Sequence, residues 1–295
     1  MMRNEPAIEA KALCKDYGDG VDVLSGLDLR VPRGAVYGLL GRNGSGKTTL
    51  IRLVMGLFRA RSGVVRVLGE PAYPLSVPVR QRIGYLSQEQ KMFSWMSVAD
   101  LAAFSAPMYP SWDWSYFEEL LENLDLPLNT DVGHLSRGEQ QKAGLLLALA
   151  PRPDLLILDE PVANLDTVVR REFLGSILDL LTREGVTVLI SSHILTDVER
   201  VVDWIGILAE GRITLSAPIE SLKESVKRLR ICFPGDPPER VEVPGTLGVR
   251  RSGREVLVTV QDFTPALLET IRRKFGVAAE VQDMDLEDMF IEYVS

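Results

Sequence analysis

The chain has 295 residues, of which 46% are hydrophobic and 25% are charged, a composition typical of globular proteins that excludes a disordered chain. Its formal net charge of −8 gives little general attraction for a polyanion, so nucleic acid is not an expected partner, although a local basic patch stays open. No apolar run approaches the roughly 20 residues that cross a bilayer, and the start has no signal-peptide core, so we expect a cytosolic protein.

The first part of the chain predicts strands and then a strand, loop and helix. Ile8 to Val31 alternates short β-like runs with turn residues. The apolar run AVYGLL suits a buried strand, a glycine-rich loop follows it, and TTLIRLVMGLF has helical periodicity. Short strands broken by glycine and proline are expected from Val64 to Leu86.

The middle of the chain predicts helices and then further buried strands. Val98 to about Leu126 is helical in pattern, and a second helix from Ser136 to Leu149 begins at a serine that can cap it. LLILDEP and VTVLISSH read as buried strands on either side of a helix from Thr167 to Glu184, and WIGILAEGRITLSA as two strands. Strands that alternate with helices predict an α/β fold with a mainly parallel core sheet.

The pattern changes near Ala217, so we expect two domains. The first spans residues 1–216, and the second, 217–295, is a separate small α/β domain. Its strands are predicted at RLRICF, ERVEV and EVLVTV, its helix at PALLETIRRKFG, and an acidic amphipathic segment ends the chain. Cys14 and Cys232 lie far apart without metal-type spacing, and we expect both thiols to be reduced and structurally incidental.

The glycine-rich loop fits the phosphate-binding pattern G-x-x-x-x-G-K-[ST] between a strand and a helix. Backbone amides freed by the glycines, together with the helix N-terminus, suit phosphate oxygens. Lys47 would contact the β- and γ-phosphates of ATP, and Thr48 would offer its hydroxyl to Mg²⁺. The predicted binding residues of this loop are Gly41, Arg42, Asn43, Gly44, Ser45, Gly46, Lys47, Thr48 and Thr49.

Two adjacent carboxylates end the strand LLILD. Asp159 can hold Mg²⁺, and Glu160 can orient or deprotonate an attacking water as a general base. An isolated Asp-Glu pair would more simply be a solvated strand end. Downstream of a phosphate loop, the pair instead indicates nucleotide hydrolysis.

In this order the motifs give the chain a strong resemblance to the ATP-binding subunits of ABC transporters, from about Ile8 to Ala217. The resemblance implies a P-loop ATPase fold with a helical subdomain at about residues 89–150. It also implies roles for residues outside the two nucleotide motifs. These are the signature Ser136, Arg137, Gly138 and Glu139, the Q-loop Gln88, which would bind nucleotide and metal, the D-loop at 163–166, the catalytic switch His193, and Tyr17, which would stack on adenine.

In that family two such domains pair head to tail, and each ATP lies between the phosphate loop of one and the signature of the other. The resemblance therefore implies a partner, either a second copy of this chain or a related ATPase subunit. Two signature positions depart from the common pattern: Arg137 stands where the family usually has glycine, and Glu139 where it has glutamine. Val162 to Asn164 also replace the usual D-loop residues, so communication across the dimer could differ.

The family's helical subdomain docks a separate transmembrane permease, which would place this chain at the cytoplasmic face of the cell membrane. Met92, Phe93, Trp95 and Met96 could line the docking groove, with ordinary core packing as the equal alternative. The run MYPSWDWSYFEELLENLDLP resembles a bacterial subgroup that serves ABC-2-type exporters.

Two other functions stay open at this stage. One is a soluble ABC ATPase that acts on DNA, ribosomes or cluster assembly, and the other is a module that senses ATP without turnover, which Glu160 and His193 argue against. The small C-terminal domain could stabilise the dimer, regulate it, contact the permease or simply pack. The transported substrate is not encoded in this chain, because the family places that choice in the permease.

Overall fold

The computed structural model describes residues 5–18, 20–88, 91–163, 165–167, 169–170, 173–175 and 185–294. They form two compact units, residues 1–216 and 217–295. The predicted helix from Thr167 to Glu184 lies largely outside the described residues, although residues 167, 169–170 and 173–175 are helical. Asn164 of the predicted D-loop also lies outside them.

An antiparallel sheet begins the first unit, with the strand order β2-β1-β4-β5. Alternating buried and exposed residues along β2 show why it forms at this edge, with one face on the core and the other in solvent. The strands are β1 (Ile8–Asp16), β2 (Asp22–Val31), β4 (Ser62–Val67) and β5 (Glu70–Pro71).

A six-stranded sheet forms the centre of this unit, in the order β10-β9-β3-β8-β7-β6. The pairs β3–β8, β3–β9, β7–β8 and β6–β7 are all parallel. Every residue of β7 and β8 is buried, which explains their continuous apolar runs. The strands are β3 (Val36–Leu40), β6 (Ile83–Leu86), β7 (Leu155–Asp159), β8 (Thr187–Ser192), β9 (Trp204–Ala209) and β10 (Arg212–Pro218).

Three of the described helices of the first unit begin at residues whose side chains cap the helix. Ser97 and Ser136 each close a capping box, and Asp113 accepts a hydrogen bond from Tyr116. The short helix α2 was not predicted, since its prolines and short length hide the pattern. The helices are α1 (Lys47–Val54), α2 (Val77–Arg80), α3 (Val98–Ser105), α4 (Trp114–Asn123), α5 (Arg137–Leu149) and α6 (Leu195–Val198).

A hydrophobic core of this unit lies between the two sheets and α1. Tyr37 is completely buried there, and its hydroxyl hydrogen-bonds Ser216 at 2.8 Å. Its ring needs Gly206 on the neighbouring strand, because a Cβ there would stand 2.2 Å from the Tyr37 hydroxyl oxygen. Within the described part of the chain, no helix has the length and apolarity to cross a membrane.

The second unit contains an antiparallel sheet in the order β12-β13-β11-β14, with an apolar core on one face. The helix α8 begins with a proline in its first turn and ends at Gly276, whose φ of 71° suits glycine. The elements are α7 (Ile219–Ser225), β11 (Lys227–Cys232), β12 (Thr246–Ser252), β13 (Glu255–Val260), α8 (Pro265–Phe275), β14 (Ala279–Gln282) and α9 (Leu286–Val294).

The strand predicted at ERVEV is wrong: residues 239–243 are irregular. Val241 and Val243 are buried in the core, and their spacing produced the misleading alternation. The backbone carbonyls find partners outside a ladder, since Lys274 donates to Glu242 O and Thr246 to Val243 O. The strands β12 and β14 were missed, since β12 carries two adjacent arginines and β14 has only four residues.

Candidate functional site

The glycine loop connects β3 to the first turn of α1. Gly46 stands at the N-cap with a φ of 105°, and a Cβ on it would lie 2.9 Å from Leu24. Gly44 also has a positive φ, of 80°. The loop folds over Lys47, whose Nζ donates to Gly41 O at 2.7 Å and Arg42 O at 3.3 Å. The loop is therefore closed around a buried ammonium group.

Asp159 ends β7 and is only 2% exposed. Its Oδ1 accepts hydrogen bonds from the hydroxyls of Ser191 at 2.7 Å and Thr48 at 3.4 Å. Burial raises the pKa of Asp159, and the hydrogen bonds from Ser191 and Thr48 act in the opposite direction. The sheet order explains why Ser191 and Asp159 lie side by side, because β8 lies between β3 and β7 and pairs Ser191 with Asp159.

Glu160 lies between a cation and a histidine. Its Oε1 is 3.1 Å from Lys47 Nζ, and its Oε2 is 2.7 Å from His193 Nδ1. A charged carboxylate only accepts hydrogen bonds, so Nδ1 carries the proton in this contact. The Lys47 and Glu160 side chains are 6% and 8% exposed, whereas His193 is 34% exposed. The carboxylate is thus buried and held at both oxygens.

These residues border one cleft of about 340 Å³ at the carboxyl ends of the parallel strands. Half of the predicted site residues, nine of eighteen, line this cleft. The lining residues are Val23, Asn43, Gly44, Gly46, Lys47, Thr48, Thr49, Gln88, Glu160 and His193. A cleft in this position is where open parallel sheets bind their ligands.

Tyr17 lies at the edge of the same loop region. Its hydroxyl hydrogen-bonds Thr49 Oγ1 at 2.8 Å, its ring meets Phe58 edge-on at 6.0 Å, and Lys15 Nζ lies 5.5 Å from its centroid. The residue is 53% exposed. An aromatic surface is therefore available beside the phosphate loop.

Ser136 to Glu139 form the N-terminus of α5 as a capping box. The Ser136 amide donates to Glu139 Oε2 at 2.7 Å, and the Glu139 amide donates to Ser136 Oγ at 3.3 Å. These hydrogen bonds lower the pKa of Glu139. Gly138 packs against Val169, and a Cβ on it would lie 2.7 Å from Val169 Cγ1. Arg137 is exposed.

The capping box does not share the cleft: none of residues 136–139 is among the described residues that line it. One hydrogen bond links the two regions, from Gln141 Nε2 on α5 to the Gln88 backbone oxygen at 3.3 Å. The predicted Q-loop residue therefore touches both the cleft and the helix that carries the signature.

The cleft fits a polyphosphate with a divalent cation. Ser45 Oγ is buried in the loop and has no hydrogen-bond partner within the described part of the chain, so a polar ligand can satisfy it. The Thr48 hydroxyl and the Asp159 carboxylate are hard oxygen donors of the kind that Mg²⁺ prefers.

Comparison with known proteins decides the family. The sequence profile of the ABC transporter family matches residues 24–163. The ABC transporter ATP-binding protein YtrB of Bacillus subtilis is 33% identical over 231 residues, which are 78% of this chain and 78% of YtrB. The chain belongs to the ABC transporter ATP-binding proteins. As an ABC ATPase it binds and hydrolyses ATP as the nucleotide-binding subunit of a transporter.

Two other relatives extend this assignment. The bacitracin transport ATP-binding protein BcrA of Bacillus licheniformis is 34% identical over 219 residues, 74% of this ABC ATPase and 71% of BcrA. An uncharacterised relative of Bacillus subtilis, YhaQ, is 30% identical over 290 residues, 95% of this chain and 96% of its own. The likeness to YhaQ thus includes the second unit.

Solved structures support the same fold. The ATP-binding subunit of an ABC transporter has a TM-score of 0.66 at 26% identity, covering 74% of this ABC ATPase and 92% of that chain. A Clostridium perfringens protein that is part of the cbiONQ transporter complex has a TM-score of 0.64 at 26% identity, covering 72% and 89%. The predicted P-loop ATPase fold and family are confirmed.

Sequence reasoning missed a buried hydroxyl of the site, that of Ser191. Ser191 is completely buried, and it contacts both Asp159 and Glu160. The available signal was a hydroxyl inside the apolar run VTVLISS, where a buried polar group needs partners. The motifs drew attention to His193 instead.

Proposed function

We propose that this ABC ATPase drives a separate membrane permease by ATP-dependent closure of a head-to-tail dimer. The observation that carries the proposal is the divided site: Lys47, Glu160 and His193 border the cleft, whereas residues 136–139 are not part of its lining. The signature of a second copy, or of a related subunit, would then complete the site. A ligand that bridges the two copies binds the closed dimer better, and its hydrolysis removes that preference.

Glu160 is the proposed general base. Its backbone has a φ of 50°, and its carboxylate is held by Lys47 and His193. His193 fixes the direction of the carboxylate and supplies the switch contact. Since Lys47 also serves the β- and γ-phosphates, phosphate oxygens compete with Glu160 for its ammonium protons. Release of Glu160 from Lys47 leaves its Oε1 available to a water.

Thr48, Asp159 and Gln88 are the proposed residues that hold Mg²⁺. When bound, the cation neutralises phosphate charge and orients the terminal phosphate. Asp159 is nearly buried, which suits a contact made through water. Asn43 to Thr49 bind the phosphates, with Gly41 and Arg42 keeping the loop folded over Lys47.

The signature contributes from the partner copy in this proposal. Ser136 Oγ accepts the Glu139 amide, so its hydroxyl proton stays available for a phosphate oxygen. Arg137 and Gly138 stand at the positive end of the α5 dipole, and Arg137 adds a charge that favours an anion. Glu139 differs from Arg137, because its carboxylate accepts a hydrogen bond from the Ser136 amide. That amide is therefore already occupied and is not free for a phosphate oxygen.

The permease contacts the helical subdomain, residues 89–150. Phe93, Trp95 and Phe104 form an exposed aromatic cluster, with ring centroids 5.1 Å apart for Phe93–Trp95 and 5.8 Å for Phe93–Phe104. We call it the aromatic cluster. Trp95 is 70% exposed, and such surfaces suit an amphipathic helix. Docking there would keep this chain at the cytoplasmic face of the membrane.

Export is the proposed direction of transport. Two kinds of support bear on it, the resemblance of residues 108–127 to the ABC-2 exporter subgroup and the relationship to an ATP-binding protein named for bacitracin transport. Substrate choice belongs to the permease in this proposal.

The variant Glu160→Gln tests the proposal. It keeps the shape of the side chain and one acceptor oxygen but removes the negative charge and the base, so we expect turnover to fall by at least about 100-fold, the usual contribution of a general base. With ATP and Mg²⁺, size-exclusion chromatography should show a stable dimer of the variant. Turnover is measured by phosphate release.

The matched control is Glu70→Gln, which neutralises an exposed carboxylate on β5 and should keep normal turnover. Near-normal turnover of Glu160→Gln would remove Glu160 from its role. A variant that binds ATP tightly yet stays monomeric would contradict the dimer and favour a soluble ATPase with another partner.

A further inference from the structure

Ser191 sits at the middle of the site without any role in the motifs. It is completely buried near the end of β8, the strand that separates β3 from β7 in the sheet. Its Cα is paired in register with that of Asp159. A residue in this place lies between the phosphate-loop strand and the carboxylate strand.

The hydroxyl of Ser191 forms hydrogen bonds with both Asp159 and Glu160. Its Oγ donates to Asp159 Oδ1 at 2.7 Å and accepts from the Glu160 amide at 2.9 Å. The direction of the first bond is fixed, because a hydroxyl has one proton and the Glu160 amide can only donate. Ser191 also accepts the same amide through its backbone oxygen at 3.2 Å.

Two hydroxyl groups orient the Asp159 carboxylate, and that of Ser191 makes the stronger hydrogen bond. The Ser191 hydroxyl is 2.7 Å from Oδ1, whereas the Thr48 hydroxyl is 3.4 Å away. Short O–H···O⁻ bonds are the strong ones. Because both contacts fall on Oδ1, they fix the rotation of the carboxylate and leave Oδ2 outside this pair of bonds.

At Glu160 the serine supports an unusual backbone. A φ of 50° is uncommon for a residue other than glycine, and such a conformation persists only where surrounding contacts hold it. The Ser191 hydroxyl and carbonyl hold the Glu160 amide from the neighbouring strand. That conformation places the Glu160 side chain beside Lys47 and His193.

We propose that Ser191 is a positioning residue that orients Asp159 toward Mg²⁺ and Glu160 toward the attacking water. The proposal rests on the proposed roles of Asp159 and Glu160. Ser191 itself touches neither nucleotide nor metal in this arrangement. Its effect is transmitted through one hydroxyl group.

The test measures binding of a fluorescent ATP analogue to the full chain in excess Mg²⁺ and in EDTA. We expect Ser191→Ala to reduce the gain in affinity that Mg²⁺ gives by about tenfold, the lower end of the usual effect of removing a group that orients a metal ligand. Binding in EDTA should stay within about twofold of the parent chain, because the phosphate loop is untouched. Turnover should fall through kcat, with a smaller change in KM.

Two further variants separate positioning from stability. Ser191→Thr keeps the hydroxyl and should retain the Mg²⁺ effect. Thr187→Val removes another buried hydroxyl of β8, one that accepts the Gly34 amide and hydrogen-bonds no carboxylate among the residues that the structure describes, so it should keep the Mg²⁺ effect too. If Ser191→Ala does not fold, Ser191→Cys takes its place, because it replaces the hydroxyl with a weak donor. It should also reduce the gain in affinity that Mg²⁺ gives, but by less than Ser191→Ala.

The outcomes distinguish this inference from the proposed function. If Asp159→Asn does not reduce the Mg²⁺ effect, the metal role of Asp159 is wrong and the inference fails with it. If Asp159→Asn abolishes the effect while Ser191→Ala preserves it, only the role of Ser191 is wrong. An equal loss in Thr187→Val and Ser191→Ala would also overturn it, since general destabilisation would then explain both.

Discussion

Single residues from separate parts of the chain make the chemistry of this site. Lys47 comes from the first turn of α1, Glu160 follows β7 and His193 follows β8. Lys47 Nζ nevertheless lies 3.1 Å from Glu160 Oε1, and His193 Nδ1 lies 2.7 Å from Glu160 Oε2. Burial strengthens these contacts and makes each partner costly to remove. The proposed base is therefore held in place before any ligand contributes.

We propose two separable roles for Tyr17: its hydroxyl hydrogen-bonds Thr49 Oγ1 at 2.8 Å, and its exposed ring would stack on adenine. We expect Tyr17→Ala to weaken ATP binding about tenfold, in line with the roughly 1–3 kcal/mol of one base–aromatic stack. Tyr17→Phe keeps the ring and should bind within about twofold of the parent chain. Affinity is measured by fluorescence titration.

Tyr73→Ala is the matched control, because Tyr73 has the same 53% exposure as Tyr17 but lines a different pocket, with Val65 and Pro71. Equal losses in Tyr17→Phe and Tyr17→Ala would show that the hydrogen bond to Thr49, and not stacking, is what ATP binding needs.

At the scale of elements, helix N-termini carry much of the function. The phosphate loop precedes α1, and the signature precedes α5, so both present backbone amides and a positive dipole end. Two helices of the first unit, α3 and α5, have the same capping box, closed by Ser97 and by Ser136. The shared geometry allows structural and functional effects to be compared.

Ser136 should affect stability and turnover separately. We expect Ser136→Ala to lower the free energy of unfolding by about 1 kcal/mol, the usual effect of losing a helix cap, and to reduce ATP turnover strongly. Ser136→Asp can cap the helix and should recover stability, but its charge repels phosphate, so turnover should stay low. Urea unfolding and phosphate release are the two measurements.

Ser97→Ala provides the control for this pair, since it removes the matching cap of α3 and should cost similar stability without loss of turnover. Normal turnover in Ser136→Asp would contradict the proposed contact between Ser136 and the phosphate of ATP.

At the scale of the whole molecule, strand order and the proposed docking surface would determine how ATP hydrolysis is coupled to a partner protein. The order β3-β8-β7 gathers the phosphate loop, Ser191 and the two carboxylates at one edge of the sheet. The Gln141–Gln88 hydrogen bond then connects this edge to α5 in the helical subdomain. Movement of the predicted Q-loop residue Gln88 would thus be transmitted to α5, the helix that begins at the predicted signature.

The aromatic cluster should be needed for the permease but not for ATP. We expect Trp95→Ser to weaken association with the proposed membrane permease by about 30-fold, typical of an exposed tryptophan at an interface centre. ATP affinity of the isolated chain should not change. Co-purification and fluorescence titration are the measurements.

Trp114→Ser is the comparison, because Trp114 is 49% exposed but packs on Trp112 and Phe117, and it should retain the permease. Unchanged association of Trp95→Ser would move the docking surface elsewhere on the chain.

The sequence by itself determined the local features whose cause is local. Gly41 to Thr49 and the capping Ser136 of α5 are short patterns in which neighbouring residues impose the backbone. Continuous apolar runs also predicted the buried strands β3, β7 and β8. The α/β fold and the family followed from the order of these motifs.

Tertiary structure alone decided which distant groups meet. Strand order pairs Ser191 with Asp159. It also brings Lys47 and His193 into contact with Glu160. Spacing along the chain does not encode that order. The false strand at 239–243 has the same origin: burial of Val241 and Val243 produced an alternating pattern, while side chains of other elements took the backbone hydrogen bonds. Periodicity reports which side chains are buried, but only the fold determines their partners.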